Sequence, residues 1–174
     1  ALEQANFFTS GSAKYLPMVD IKDAPKYDWR GFHIDVVRHM FTVDYLKKVI
    51  DCLSFYKINK LHLHLTDDQG WRIEVKKYPR LTEIGSKRTC TQVDAWHTSH
   101  MVNEPHEGFY TQEDIREIVA YANARGIMVV PEIDMPAHFA AAQALERWLA
   151  CRELERQVTG YFGGRVPTLH GVMD

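Results

Sequence analysis

The residues best equipped for chemistry lie between Lys60 and Trp71, in KLHLHLTDDQGW, where an alternating apolar run passes abruptly into acidic, amide and glycine residues. Leu61, Leu63 and Leu65 alternate with His62, His64 and Thr66, so an extended strand sends the leucines to one face and the histidines to the other. Asp67, Asp68 and Gln69 follow at the strand's carboxyl end, where ligands and chemistry collect in α/β architectures. Asp35, after FHI, and Asp134, after PEI, fall at equivalent places. Carboxylates gathered at one end of a parallel sheet can bind sugar hydroxyls, ligate a divalent cation or move protons. A plainer role, solvated acids that cap the following helices, suits Asp35 and Asp68 but fits Asp134 poorly. Asp134 precedes Met135-Pro136, with His138 four residues on, and at that spacing the carboxylate can orient the imidazole by a hydrogen bond. His62 and His64 also form an H-x-H of the kind that ligates metals, although a satisfied core histidine is the plainer reading of His62.

The surrounding periodicity says which elements position these groups. Phe32, Ile34 and Val36 alternate against His33 and Asp35, which predicts a first strand over Gly31–Val37. Leu46, Val49, Ile50 and Leu53 form an apolar stripe at helical spacing, predicting a helix from Val43 to Tyr56. Strand, helix, strand makes one right-handed crossover of a parallel sheet. Residues 69–110 are too long for a simple connection and read as an insertion over the strand ends. Within it, alternation from Trp71 to Val75 suggests a short strand and Pro79 opens a turn or helix over Leu81–Ile84. The stretch 89–108, holding His97, His100 and His106, looks solvated and mobile. Thr111 and Asp114 form a helix N-cap box ahead of Ile115, Ile118, Val119 and Ala122, and Gly126 supplies the stop. IMVVPEID reads as a third strand, buried on both faces, and a third helix is predicted over Ala137–Leu149. The chain thus divides into a polar entry segment (1–26), three strand–helix units (27–151) and a tail (152–174).

Composition excludes several classes. The 174 residues, 45% hydrophobic and 25% charged, suffice for one core. With 21 basic and 23 acidic residues, a net charge of −2 and no basic run, nothing points to nucleic acid or an anionic membrane. No apolar run approaches the roughly 18 to 20 residues of a membrane span. No leader is visible, which leaves the compartment open. Cys52, Cys90 and Cys151 show neither metal-ligand spacing nor a disulfide framework, and read as unrelated residues of which at least one is buried.

Three segments together, YDWRGFHIDVVRH, NKLHLHLTDDQGWRIEVKKYPRLTEIGS and GFYTQEDIREIVAYANARGIMVVPEIDMPAH, resemble glycoside hydrolase family 20, the β-N-acetylhexosaminidases, from about Tyr15 to Cys151. The resemblance implies an α/β fold of the (β/α)8 TIM-barrel type, of which this chain holds about the first three strand–helix units. It further implies removal of terminal β-linked N-acetylglucosamine or N-acetylgalactosamine with retention, the substrate's acetamido oxygen serving as nucleophile. On that basis Arg30 clamps sugar hydroxyls, and Asp67 with the Asp134–His138 pair forms the network supporting the catalytic acid, with His64 alongside. A surface guanidinium paired with Asp28 or Asp35 is the plainer reading of Arg30. The implied partner is a glycan or amino-sugar substrate; neither cofactor nor metal is implied, and an extracellular, periplasmic or lysosomal compartment fits the family.

The sequence departs from the family in two ways. The catalytic Asp-Glu pair expected in a Gly-Gly-Asp-Glu context is absent, since Gly163-Gly164 is followed by Arg165-Val166. Ala137 stands where the family usually has glycine, a strained choice if that position needs a positive φ. Three strands fall short of a barrel of about 250 residues. The chain is therefore expected to be an amino-terminal piece, inactive by itself, whose open sheet edge the rest of the barrel or a second copy covers. Two rival readings are a non-catalytic carbohydrate-binding remnant and a metal-dependent barrel hydrolase built on His62-x-His64.

Overall fold

A computed structural model describes residue 18 and residues 20–93, 100–135 and 137–143. Three parallel strands, β1 (Gly31–Asp35), β2 (Lys60–His64) and β9 (Met128–Glu132), form the central sheet in the order β1-β2-β9. Residues on β1 and β2 pair in register from Gly31 with Lys60 to Asp35 with His64, and β9 continues the register from Met128 to Glu132. Helix α1 (Val43–Phe55) links β1 to β2, and helix α3 (Gln112–Asn123) leads into β9.

Alternation along β2 decides where the core sits. Leu61, Leu63 and Leu65 are fully buried against Leu46, Ile50 and Leu53 of α1 and Ile118 and Ala122 of α3. The helices cover one face of the sheet, while His33, His62, His64 and Glu132 lie on the other. Caps follow the sequence: the Thr42 hydroxyl accepts from the Tyr45 N–H, and Thr111 and Asp114 form a reciprocal capping box. Gly126 adopts φ +72 beyond α3, a left-handed stop that glycine adopts without strain.

Other expectations are corrected. Strand β9 is not buried on both faces: Met128 and Pro131 are exposed, because among the described residues β9 pairs only with β2 and is an edge. The short strand at Trp71 is limited to β4 (Gly70–Trp71), antiparallel to β3 (Thr66–Asp67), with Ile73 making a lone bridge to Tyr110. Helix α2 (Arg80–Glu83) follows Pro79 as anticipated. In the described residues after it the chain forms a ribbon: β5 (Lys87–Arg88) pairs with β8 (His106–Glu107), and β6 (Thr91–Gln92) with β7 (Met101–Val102). His97 lies outside the described residues. Of the third helix, α4 (Ala140–Gln143) is described, and Leu145, Trp148 and Leu149 lie outside that range. Cys52 is exposed and Cys90 half-buried, while Cys151 lies outside the described residues. Among the described residues no helix is long and apolar enough to cross a membrane.

Candidate active site at the strand carboxyl ends

Asp67 is the centre of the site. Its side chain is wholly buried where β2 turns into β3, and each oxygen has two partners. Oδ2 accepts from His64 Nε2 and from Arg38 Nη2, both at 2.7 Å. Oδ1 accepts from the Asp68 N–H at 2.6 Å and lies 3.1 Å from His138 Nδ1. Burial alone would raise the Asp67 pKa. The His64 hydrogen bond, the Asp68 N–H and the charges of Arg38 and His138 outweigh it and hold the carboxyl below its usual range.

His64 carries the complementary shift. Its hydrogen bond to Asp67, opposed by burial and reinforced by Glu132, raises the imidazole to about 9. At neutral pH it is therefore a cation, with Nε2 on Asp67 and Nδ1 3.1 Å from Glu132 Oε2. Beside it, burial and the neighbouring Glu132 carboxylate raise the Asp134 pKa above its usual range.

The structure also places Arg38 in the cluster. Asp35 Oδ1 accepts from the Val37 and Arg38 N–H groups, at 2.8 and 3.0 Å, and turns the chain at the end of β1. Asp35 Oδ2 accepts from Arg38 Nη1 at 2.9 Å. The guanidinium, 42% exposed, thus spans Asp35 and Asp67 with donors left over facing solvent. Behind it the wholly buried Arg72 donates to the carbonyls of Val37, Ser86 and Gly108, and Arg88 donates to the Arg38 carbonyl at 2.7 Å. These bonds dock the described parts of the ribbon, 87–93 and 100–107, against the end of β1.

The sequence-derived candidates distribute unevenly. Asp67, His64 and His138 are brought together. Arg30 is not: it precedes β1, at the amino end of the sheet, and its guanidinium donates to the carbonyls of Lys57 and Tyr27, both at 2.7 Å. Asp134 is close by, its N–H on Thr66 Oγ1 at 3.0 Å, but the partner of His138 is Asp67. His138 takes φ +52, and Ala137 has no positive φ, so the strain expected at Ala137 falls on His138. Asp68 is buried rather than solvated, and its Oδ1 accepts from the Ala140 N–H at the start of α4, not from the helix that follows it in the chain.

This arrangement, a buried carboxylate gripping two imidazoles and a half-exposed guanidinium at the strand carboxyl ends, coincides with a family match. The family model for the glycosyl hydrolase family 20 catalytic domain covers residues 27–168. The chain belongs to that family. A beta-hexosaminidase of Porphyromonas gingivalis is 52% identical over 136 residues, which are 78% of this chain and 16% of the relative. One from Vibrio furnissii is 49% identical over 140 residues, 80% of this chain and 23% of the relative. Among solved structures, the family 20 exo-β-N-acetylglucosaminidase of Vibrio harveyi in complex with N-acetylglucosamine shares 44% identity at a TM-score of 0.62, over 70% of this chain and 19% of that one. The family 20 β-N-acetylhexosaminidase of Streptomyces coelicolor shares 42% at 0.64, over 80% and 24%. The chain thus spans about a fifth of the curated relatives it matches. The fold is the first part of a (β/α)8 family 20 barrel, and β1, β2 and β9 are three of its strands. The match runs to residue 168, past Cys151, where the sequence suggested a divergent tail.

Proposed function

We propose that the protein hydrolyses terminal β-linked N-acetylhexosamine from glycans with retention, through attack by the substrate's own acetamido oxygen. The observation that carries this reading is Asp67, buried and bonded to His64, Arg38 and His138 together, on a chain about half identical to named beta-hexosaminidases. That identity favours neither the binding-remnant nor the metal-hydrolase reading.

Roles follow from the geometry. Arg38, fixed by two carboxylates yet open to solvent, presents its remaining N–H donors to sugar hydroxyls, the task the sequence had given Arg30. Asp67 holds Arg38 and His138 in place, and His138, half-exposed, can relay charge between Asp67 and the group that protonates the leaving oxygen. Glu132 supports His64 from the β9 side. The remainder of the barrel, rather than a second copy of this chain, covers the β9 edge on this reading.

The test uses the longest open reading frame containing these codons, assayed on an aryl N-acetyl-β-glucosaminide and on the matching aryl glucoside. Turnover confined to the acetamido substrate is expected, and equal turnover of both would sink the acetamido mechanism. Arg38→Ala should lower kcat/KM at least 30-fold, the low end of the roughly 2–5 kcal/mol that losing one partner of a buried charge pair costs. Arg30→Ala, remote from the cluster, should leave kcat/KM within about threefold.

A further inference from the structure

The inward face of the sheet carries a second constellation below the Asp67 cluster, sharing Glu132 with it. In the strand register His33 of β1 lies beside His62 of β2, and their rings meet edge-on with centroids 4.7 Å apart. Glu132, at the end of β9, leans back over them: its Oε2 is 2.6 Å from His62 Nε2 and 3.8 Å from His33 Nε2. The three potential ligand atoms all lie within 4.8 Å of one another. We propose that His33, His62 and Glu132 bind a divalent zinc ion.

Zinc bonds to imidazole nitrogen and carboxylate oxygen are about 2.0–2.2 Å long, which in a tetrahedron spaces the ligand atoms about 3.4 Å apart. The observed separations bracket that value, so rotation of exposed side chains, without backbone movement, closes the site. Two imidazoles and one carboxylate favour zinc over magnesium or calcium, which prefer all-oxygen shells. Three strands of one sheet hold the ligands, and His64 Nδ1, 3.1 Å from Glu132 Oε2, steadies the carboxylate from behind. In this chain by itself the His33 and His62 side chains are 51% and 40% exposed, so an added ion can reach them and a water can complete the shell. This site differs from the His62-x-His64 pair suggested by spacing, since His64 is committed to Asp67.

The chain, stripped with a chelator, would be titrated with zinc chloride by calorimetry. One equivalent should bind, with affinity reduced at least tenfold in His33→Gln and in Glu132→Gln and unchanged in His106→Gln, whose imidazole sits apart and accepts from the Met40 N–H. Circular dichroism reports whether each variant folds. In the unaltered chain, the ring nitrogen resonances of His33 and His62 should shift on adding zinc, whether or not any variant folds. No binding, undiminished binding in His33→Gln, or resonance shifts confined to other histidines would overturn the proposal.

Discussion

With His64 bonded to Asp67 and close to Glu132, folding raises its pKa from 6.5 to about 9. A raised imidazole stabilises the fold fully below its unfolded value of 6.5, and that contribution disappears as pH climbs through about 9. Asp67 works in the opposite sense: its contribution is present above 3.8 and is lost as pH falls through its lower folded value. The ion pair therefore strengthens the fold most between those limits. His64→Gln should flatten the fall in urea midpoint that the unaltered chain shows from about pH 6 to about pH 10. An undiminished fall in the variant would place that titration in another group.

At the scale of elements, the ribbon β5–β8 and the end of β1 are joined by buried guanidinium groups rather than by apolar packing. Arg72 has no exposure, and burial, aided by the charge of Arg88, pushes its pKa down to about 10, so it remains a cation at neutral pH. Removing it strips donors from the carbonyls of Val37, Ser86 and Gly108. Each buried acceptor left unsatisfied costs about 1–3 kcal/mol, so Arg72→Ala should lower unfolding free energy by about 3–5 kcal/mol. Arg72→Lys should recover only part of this, because one ammonium cannot span three carbonyls set for a planar fork. A loss under about 1 kcal/mol by urea denaturation would mean that water replaces the guanidinium. Alternation in WRIEV suggested only a short strand and gave this arginine no role. The carbonyls that bury it come from Val37, Ser86 and Gly108, and no local pattern reveals them.

Across the whole molecule, the leucine face of β2 packs under both long helices, while Trp71, Phe139, Ala141 and Ala142 form a smaller cluster beside the site. Ile73 touches both clusters and ties them into one cooperative unit. Leu63→Ala should therefore cost about 2–5 kcal/mol and shift Trp71 fluorescence and far-ultraviolet dichroism together. Separated transitions would show the smaller cluster unfolding alone. The sequence by itself determined the strand–helix order, the caps at Thr111–Asp114 and Gly126, and the place of Asp67, because these follow from periodicity, local hydrogen bonding and chain direction; its motifs carried the resemblance to the family. Tertiary structure alone decided that His138 answers to Asp67 and not to Asp134, and that Arg38 rather than Arg30 joins the cluster. Only it showed that a polar loop is pinned by Arg72 and Arg88. Partners of a buried charge are chosen by proximity across strands, and nothing in the spacing along the chain encodes that.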